Sequence, residues 1–302
     1  MEEVQIWSNG IAMKGALYRP PNFDANGSYP VVVCCNGWTF PTVAALDATE
    51  FPQTLAEAGY MVLTFDQRGQ ASSESTRMVK PDGRLDQPRD VLEPFEWATD
   101  LRHAIDYIEG EPGADPERIG IAGWSYGGGV VMYTAAHDPR VKAVVASLGG
   151  YDPRGQEDPD TADYFPQWSP EQLQKAAIDR ARGAEDPGYA TLDVMAWPGT
   201  QRYIAAGNQA YEGFDKINPD TRFWYPIQWA DRVKVPMLVI DAELDFIPAE
   251  KNGRRAYEAL VESGNPAAKY EVLAGRDHMQ GYDVDSGITK LGLDWFDQHL
   301  KM

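Results

Sequence analysis

The spacing of apolar positions changes period several times along the chain, and each change predicts an element. Residues 4–8 and Ile11–Tyr18 flank Asn9-Gly10, a dipeptide suited to a tight two-residue turn, which predicts an antiparallel hairpin. Residues 30–35 form an unbroken apolar run, as in a strand covered on both faces. A helix is expected over 51–58, stopped by Gly59, followed by a buried strand over 60–65 that opens into Asp66-Gln67-Arg68-Gly69. Phe95, Leu101, Ile105 and Ile108 recur at mostly helical spacing and predict a helix over 91–109. A strand at 118–122, a helix at 126–136 and a strand at Val141–Ser147 continue the alternation. Strands that alternate with helices imply a parallel sheet with helices on both faces, an α/β fold.

The alternation stops between about 151 and 232. That stretch is rich in Pro, Asp, Gln and aromatic residues, and holds Trp168, Trp197, Trp224 and Trp229. Helices are expected at 175–182 and 203–210, with no strand of sheet quality. The alternation resumes with a strand at 237–240, a helix at 252–263, a strand at 269–273 and a terminal helix through 291–300. Residues 1–150 and 233–302 therefore read as one core, and 151–232 as a cap inserted into it; no internal repeat is visible.

Composition narrows the function. The 302 residues carry 27 Lys+Arg and 46 Asp+Glu, a formal charge of −19, which disfavours nucleic acid and anionic membranes as partners. Hydrophobic residues at 43% argue for a folded chain rather than a disordered one. The two cysteines, Cys34 and Cys35, are adjacent within an apolar run, so neither a disulfide framework nor a zinc site is expected. The chain opens Met1-Glu2-Glu3-Val4 without a basic and apolar leader, and no stretch reaches the length of a membrane span. A cytoplasmic protein acting on a small molecule is the expectation, with a homodimer as one option.

Gly123-Trp124-Ser125-Tyr126-Gly127 stands between the strand at 118–122 and a helical run, the context of a nucleophile elbow. The sharp turn crowds its neighbours, hence the glycines two positions on either side of the serine. Ser125 is thereby carried to the carboxyl edge of the sheet, next to a helix N-terminus that favours developing negative charge.

A serine nucleophile needs a base. Of the four histidines, His103 lies within a helix, His137 follows the helix after the serine, and His299 lies near the chain's end. His278 sits in a loop after the strand at 269–273 and is the candidate. The acid that orients it is sought after the strand at 237–240, where Asp245 precedes Phe246-Ile247-Pro248; Asp241 and Glu243 in the same stretch, and Asp152 beyond Val141–Ser147, are rivals. The order Ser125, Asp245, His278 matches that of a triad on an α/β sheet. Oxyanion donors are expected from the backbone N–H of Tyr126 and, in the loop Asn36-Gly37-Trp38-Thr39, from that of Trp38.

On Asn36-Gly37-Trp38, Asp66-Gln67-Arg68-Gly69, the stretch from Gly123 to Gly127, Asp245 and His278, the chain resembles the α/β-hydrolase superfamily. More narrowly it is similar to dienelactone-hydrolase-like esterases and to serine peptidases of the prolyl-oligopeptidase and dipeptidyl-peptidase type. The resemblance implies an eight-stranded, mostly parallel sheet, a cap inserted after strand six and no cofactor. Many relatives have His-Gly where this chain has Asn36-Gly37, and a glycine where it has Ala242. Arg68 is expected to hold its loop through an ion pair. Trp168, Trp224 and Tyr225 either line an acyl pocket or cement the cap to the core.

The reading is a serine hydrolase acting on a small to medium, hydrophobic carboxylic ester. An ester is preferred to a peptide because the chain carries no separate large recognition domain. An acyltransferase or carbon–carbon bond hydrolase using the same residues, and a ligand-binding protein that kept the fold, are the alternatives.

Overall fold

A computed structural model describes residues 1–37, 42–79, 82–86, 91–151, 170–183, 190–191, 201, 205, 216–245 and 249–301. The main sheet is built from β1 (Glu2–Ser8), β2 (Ile11–Tyr18), β3 (Tyr29–Cys35), β4 (Met61–Phe65), β5 (Ala114–Trp124), β6 (Val141–Ser147), β7 (Met237–Ala242) and β8 (Ala268–Leu273). Its spatial order is β1-β2-β4-β3-β5-β6-β7-β8. Only β2 runs against the rest, pairing antiparallel with both β1 and β4.

The hairpin forms because Asn9 (φ 48°) and Gly10 (φ 80°) both take positive φ, the geometry that matches strand twist in a two-residue turn. From β3 onwards each strand returns parallel to its neighbour through a crossover, which places helices on both faces. Helix α1 is Thr42–Ala48, α2 is Phe51–Glu57, α3 is Pro94–Glu109 and α4 is Tyr126–His137. Further along come α5 (Pro170–Ala181), α6 (Ala249–Glu262) and α7 (Ile288–Leu300). Successive residues of β3 divide between two cores: Val31, Val33 and Cys35 join Leu101 and Ile105 of α3 and Val130 of α4, while Val32 and Cys34 join Phe51 of α2 and Phe296 of α7. That alternation explains the unbroken apolar run, since both faces are covered. Cys34 and Cys35 are free thiols buried on opposite faces.

The helix expected over 91–109 begins only at Pro94. Proline suits a first helical position but pushes the residue before it out of the helical region, and Glu93 accordingly sits at φ −131°, ψ 66°. Val91 and Leu92 instead pair in parallel with Lys216 and Ile217, which pair with Ala190 and Thr191. The middle segment thus contributes short strands where none was expected, though they do not join the main sheet. Helix α1 was also not expected. The helix expected at 203–210 falls almost wholly outside the described residues. Among the described residues no helix is long and apolar enough to cross a membrane.

Candidate active site

Strand β5 delivers Trp124, and α4 starts two residues later. Between them Ser125 adopts φ 52° and ψ −129°, a conformation that side chains rarely take and that persists only where its surroundings impose it. Its N–H donates to the Ser147 carbonyl at 2.9 Å, and its own carbonyl accepts from Gly128 at 2.8 Å. The glycines either side are sterically required. A Cβ on Gly123 would lie 2.2 Å from the Gly127 oxygen, and one on Gly127 would lie 2.7 Å from the Asn36 oxygen.

His278 Nε2 lies 3.0 Å from Ser125 Oγ, and its Nδ1 lies 2.8 Å from Asp245 Oδ2. The His278 and Asp245 side chains are only 3% and 2% exposed. The geometry suits a ring whose Nδ1–H donates to Asp245, which leaves the Nε2 lone pair facing the serine hydroxyl. The loops that carry the acid and the imidazole are bound to each other: Glu243 N–H donates to the Leu273 carbonyl, Leu244 N–H to the Arg276 carbonyl, and Gly275 N–H to Glu243 Oε2. The pairing of β7 with β8 is in effect carried past the sheet edge, which fixes one loop against the other.

The rival acids point elsewhere. Asp241, the fifth residue of β7, is buried, accepts from the Tyr270 hydroxyl at 2.9 Å, and is pressed on by Gly253 of α6, where a Cβ would lie 2.1 Å from its carboxylate. Burial pushes its carboxyl well above the usual range, and the nearby charge of Asp245 pushes the same way. Glu243 is exposed and serves the loop contact above. Asp152 lies outside the described residues. The other histidines are engaged away from the serine: His103 Nδ1 lies 2.8 Å from Ser8 Oγ, His137 stacks on Tyr133, and His299 packs against Trp295.

Tyr126 presents its backbone nitrogen beside the serine. A Cβ on Gly37 would lie 2.5 Å from Ser125 Cβ and 2.9 Å from the Tyr126 nitrogen, so only glycine lets the loop after β3 come this close. Trp38 and Trp168 lie outside the described residues. The half-buried Tyr126 ring packs edge-on to Trp97 at 6.3 Å, and desolvation alone raises its phenol. Trp224 is wholly buried between Phe95 and Tyr133, with ring centroids 5.0 Å from each. Tyr225 is likewise buried.

Arg68 holds its loop as expected. Its guanidinium donates to both Asp100 oxygens and to Ser8 Oγ, and pairs with Glu96 at 2.8 Å. A cavity of about 430 Å³ lies beside the N-terminus of α3, bordered by Glu93, Glu96, Asn218 and Asp220, and contains none of the residues around Ser125. Among the described residues no cluster of three or more His, Cys, Asp or Glu could hold a metal ion.

One residue near the serine carried no signal of its own: Tyr282, whose hydroxyl donates to Asn36 Oδ1 at 2.7 Å, while Gln67 donates to the Asn36 carbonyl. Asn36-Gly37 stood out as part of the oxyanion loop and as a departure from His-Gly, but nothing in the local pattern around 282 connects Tyr282 with residue 36.

Sheet order, the strained serine and the crossovers define an α/β-hydrolase fold. Within that fold the chain belongs to the X-Pro dipeptidyl-peptidase (S15) family, whose model matches residues 9–280. It is 26% identical over 308 residues to an uncharacterized 31.7 kDa protein of the traX-finO intergenic region of Escherichia coli, covering 97% of each chain. It is also 26% identical over 271 residues to the quorum-quenching protein AidA of Acinetobacter baumannii, covering 84% of this chain and 81% of AidA. The α/β hydrolase GrgF from Penicillium sp. sh18 superposes with a TM-score of 0.72 over 100% of this chain and 99% of its own, at 22% identity, which speaks for the fold alone. The relatives support hydrolase activity.

Proposed function

We propose that the chain is a serine hydrolase that cleaves a small to medium, hydrophobic carboxylic ester through an acyl-enzyme. The observation that carries this reading is the unbroken hydrogen-bonded line from Ser125 Oγ through His278 to Asp245, at 3.0 and 2.8 Å. In the proposed reaction His278 Nε2 takes the hydroxyl proton as Oγ attacks the ester carbonyl. Negative charge then develops on the carbonyl oxygen, where the N–H groups of Tyr126 and Trp38 receive it. Asp245 keeps the imidazolium oriented and balances its charge. His278 passes the proton to the departing alkoxide, and the same base activates water to release the acid.

The aromatic residues of 151–232 favour a hydrophobic acyl or alcohol part. The family match favours a second reading, in which the scissile bond follows an X-Pro dipeptide. Interception of the acyl-enzyme by an alcohol or amine would give acyl transfer with the same residues. Two buried, free cysteines fit a cytoplasmic location.

The test is labelling with a fluorophosphonate, followed by turnover of p-nitrophenyl esters and of an X-Pro p-nitroanilide, each with and without an added alcohol. Labelling of Ser125 that is lost in Ser125→Ala and His278→Ala, with faster turnover of esters than anilide, is expected. A folded wild-type chain that neither labels nor turns over any substrate contradicts the reading, and faster anilide cleavage moves it to the peptidase.

A further inference from the structure

Asn36 follows β3 and precedes Gly37, the residue pressed against Ser125. It is wholly buried and held from two distant parts of the chain. Gln67 donates to its main-chain carbonyl, and the Tyr282 hydroxyl donates to its Oδ1 at 2.7 Å. Its Nδ2 has no partner among the described residues, so the Tyr282 bond is the only one its side chain makes there. A buried amide with one bond is a poor choice for packing alone, because a half-satisfied polar group costs stability that an apolar side chain of similar size would not.

Tyr282 stands four residues after His278, with the two rings 6.2 Å apart. It ends the short turn Gln280–Tyr282, where its own N–H donates to the Met279 carbonyl and Gly281 is pressed onto Leu148. The Tyr282–Asn36 bond therefore joins the loop that delivers Gly37 to the loop that delivers His278.

We propose that this bond is a positioning latch, which sets the oxyanion loop against His278 and so acts on the transition state rather than on substrate binding. The inference rests on the serine hydrolase reading. Charge develops together on the carbonyl oxygen and on the imidazole, on opposite sides of the forming Oγ–carbon bond. Donors and base must then be in register, and a displacement of a fraction of an ångström weakens both interactions. The neutral ester of the ground state makes little demand on either, so loosening the latch raises the barrier and leaves the Michaelis complex largely unchanged.

The test compares wild type, Tyr282→Phe, Asn36→Ala and the double variant with p-nitrophenyl butyrate, with thermal melting of each and fluorophosphonate labelling of the wild type run in parallel. Tyr282→Phe is expected to lower kcat about tenfold with KM within about twofold and Tm within a few degrees. Asn36→Ala should lose at least as much, and the double variant no more than Asn36→Ala, since both remove one interaction. If Asn36→Ala fails to fold, Tyr282→Phe, which removes one oxygen, still carries the test. A labelled, active wild type whose Tyr282→Phe variant keeps its kcat, or loses only KM, overturns the latch alone. A wild type with neither labelling nor turnover overturns the hydrolase reading and the latch with it.

Discussion

Two buried carboxyl groups, one in the loop after β7 and one at the N-terminus of α3, face different partners. Asp245 is almost wholly enclosed but faces His278 at 2.8 Å, a partner able to take up a positive charge when one is needed. Glu93 is 3% exposed and borders the cavity between α3 and residues 216–223. Thr76 donates to its carboxyl at 3.0 Å, the Asn218 side chain is a further hydrogen-bond partner, and the cation that acts on it, Arg68, is also claimed by Asp100 and Glu96. Asp220 lines the same cavity and is held by Arg180. With one guanidinium shared among three acids, burial pushes the Glu93 carboxyl up to about 7. Enclosure is common to the two carboxyls; what differs is the partner each one faces, an imidazole for Asp245 and a threonine hydroxyl for Glu93.

An amide in place of the carboxyl should act differently at the two positions. Asp245→Asn preserves shape but turns an acceptor into a group that can also donate, so His278 is free to take the wrong tautomer. Activity should fall about 10³- to 10⁴-fold in kcat with little change in Tm, measured by steady-state ester hydrolysis. A variant within about tenfold of wild type would remove Asp245 from its assigned place.

Glu93→Gln should leave kcat near wild type and change the pH dependence of stability. The carboxyl titrates near 4.5 when free and near 7 in the fold. Between those values the unfolded chain has released a proton that the folded chain retains, so stability declines as pH rises from about 4.5 and reaches its full penalty above about 7. The shift corresponds to about 3 kcal/mol at most. Urea unfolding at pH 5 and pH 8 should show that decline in wild type and a smaller one in Glu93→Gln. Equal slopes in both chains would mean that Glu93 is ionised and paired throughout.

Legibility in the sequence followed how local each feature's cause is. Ser125 was readable because strand, glycines, serine and helix are contiguous, and the clash distances at Gly123 and Gly127 give the reason for the spacing. His278 emerged by elimination among only four histidines. Asp245 could not be separated from Asp241 and Glu243 by pattern, because what separates them is the direction each side chain takes beyond β7: one toward His278, one toward Tyr270 and α6, one toward Gly275. The start of α3 was placed too early because Val91 and Leu92 continue an apolar run whose partners, Lys216 and Ile217, lie far along the chain. Composition left open whether Trp224 lines a pocket or cements the cap; the Phe95 and Tyr133 rings that pack on it lie about 130 and 90 residues earlier in the chain, beyond any local pattern. The Glu93 environment and the Asn36–Tyr282 bond were invisible for the same reason. Each is assembled from residues that only the finished fold brings together.

In the proposed reaction Ser125 becomes covalently acylated with His278 as base. Rapid mixing with p-nitrophenyl acetate, acid quench and peptide mapping by mass spectrometry follows that adduct directly. An acetyl group on Ser125 that builds up with a burst of p-nitrophenol, decays on hydrolysis, and is absent from Ser125→Ala and His278→Ala is expected. Turnover that continues without any adduct on Ser125, or an acetyl group found on another residue that turns over at the catalytic rate, would contradict it.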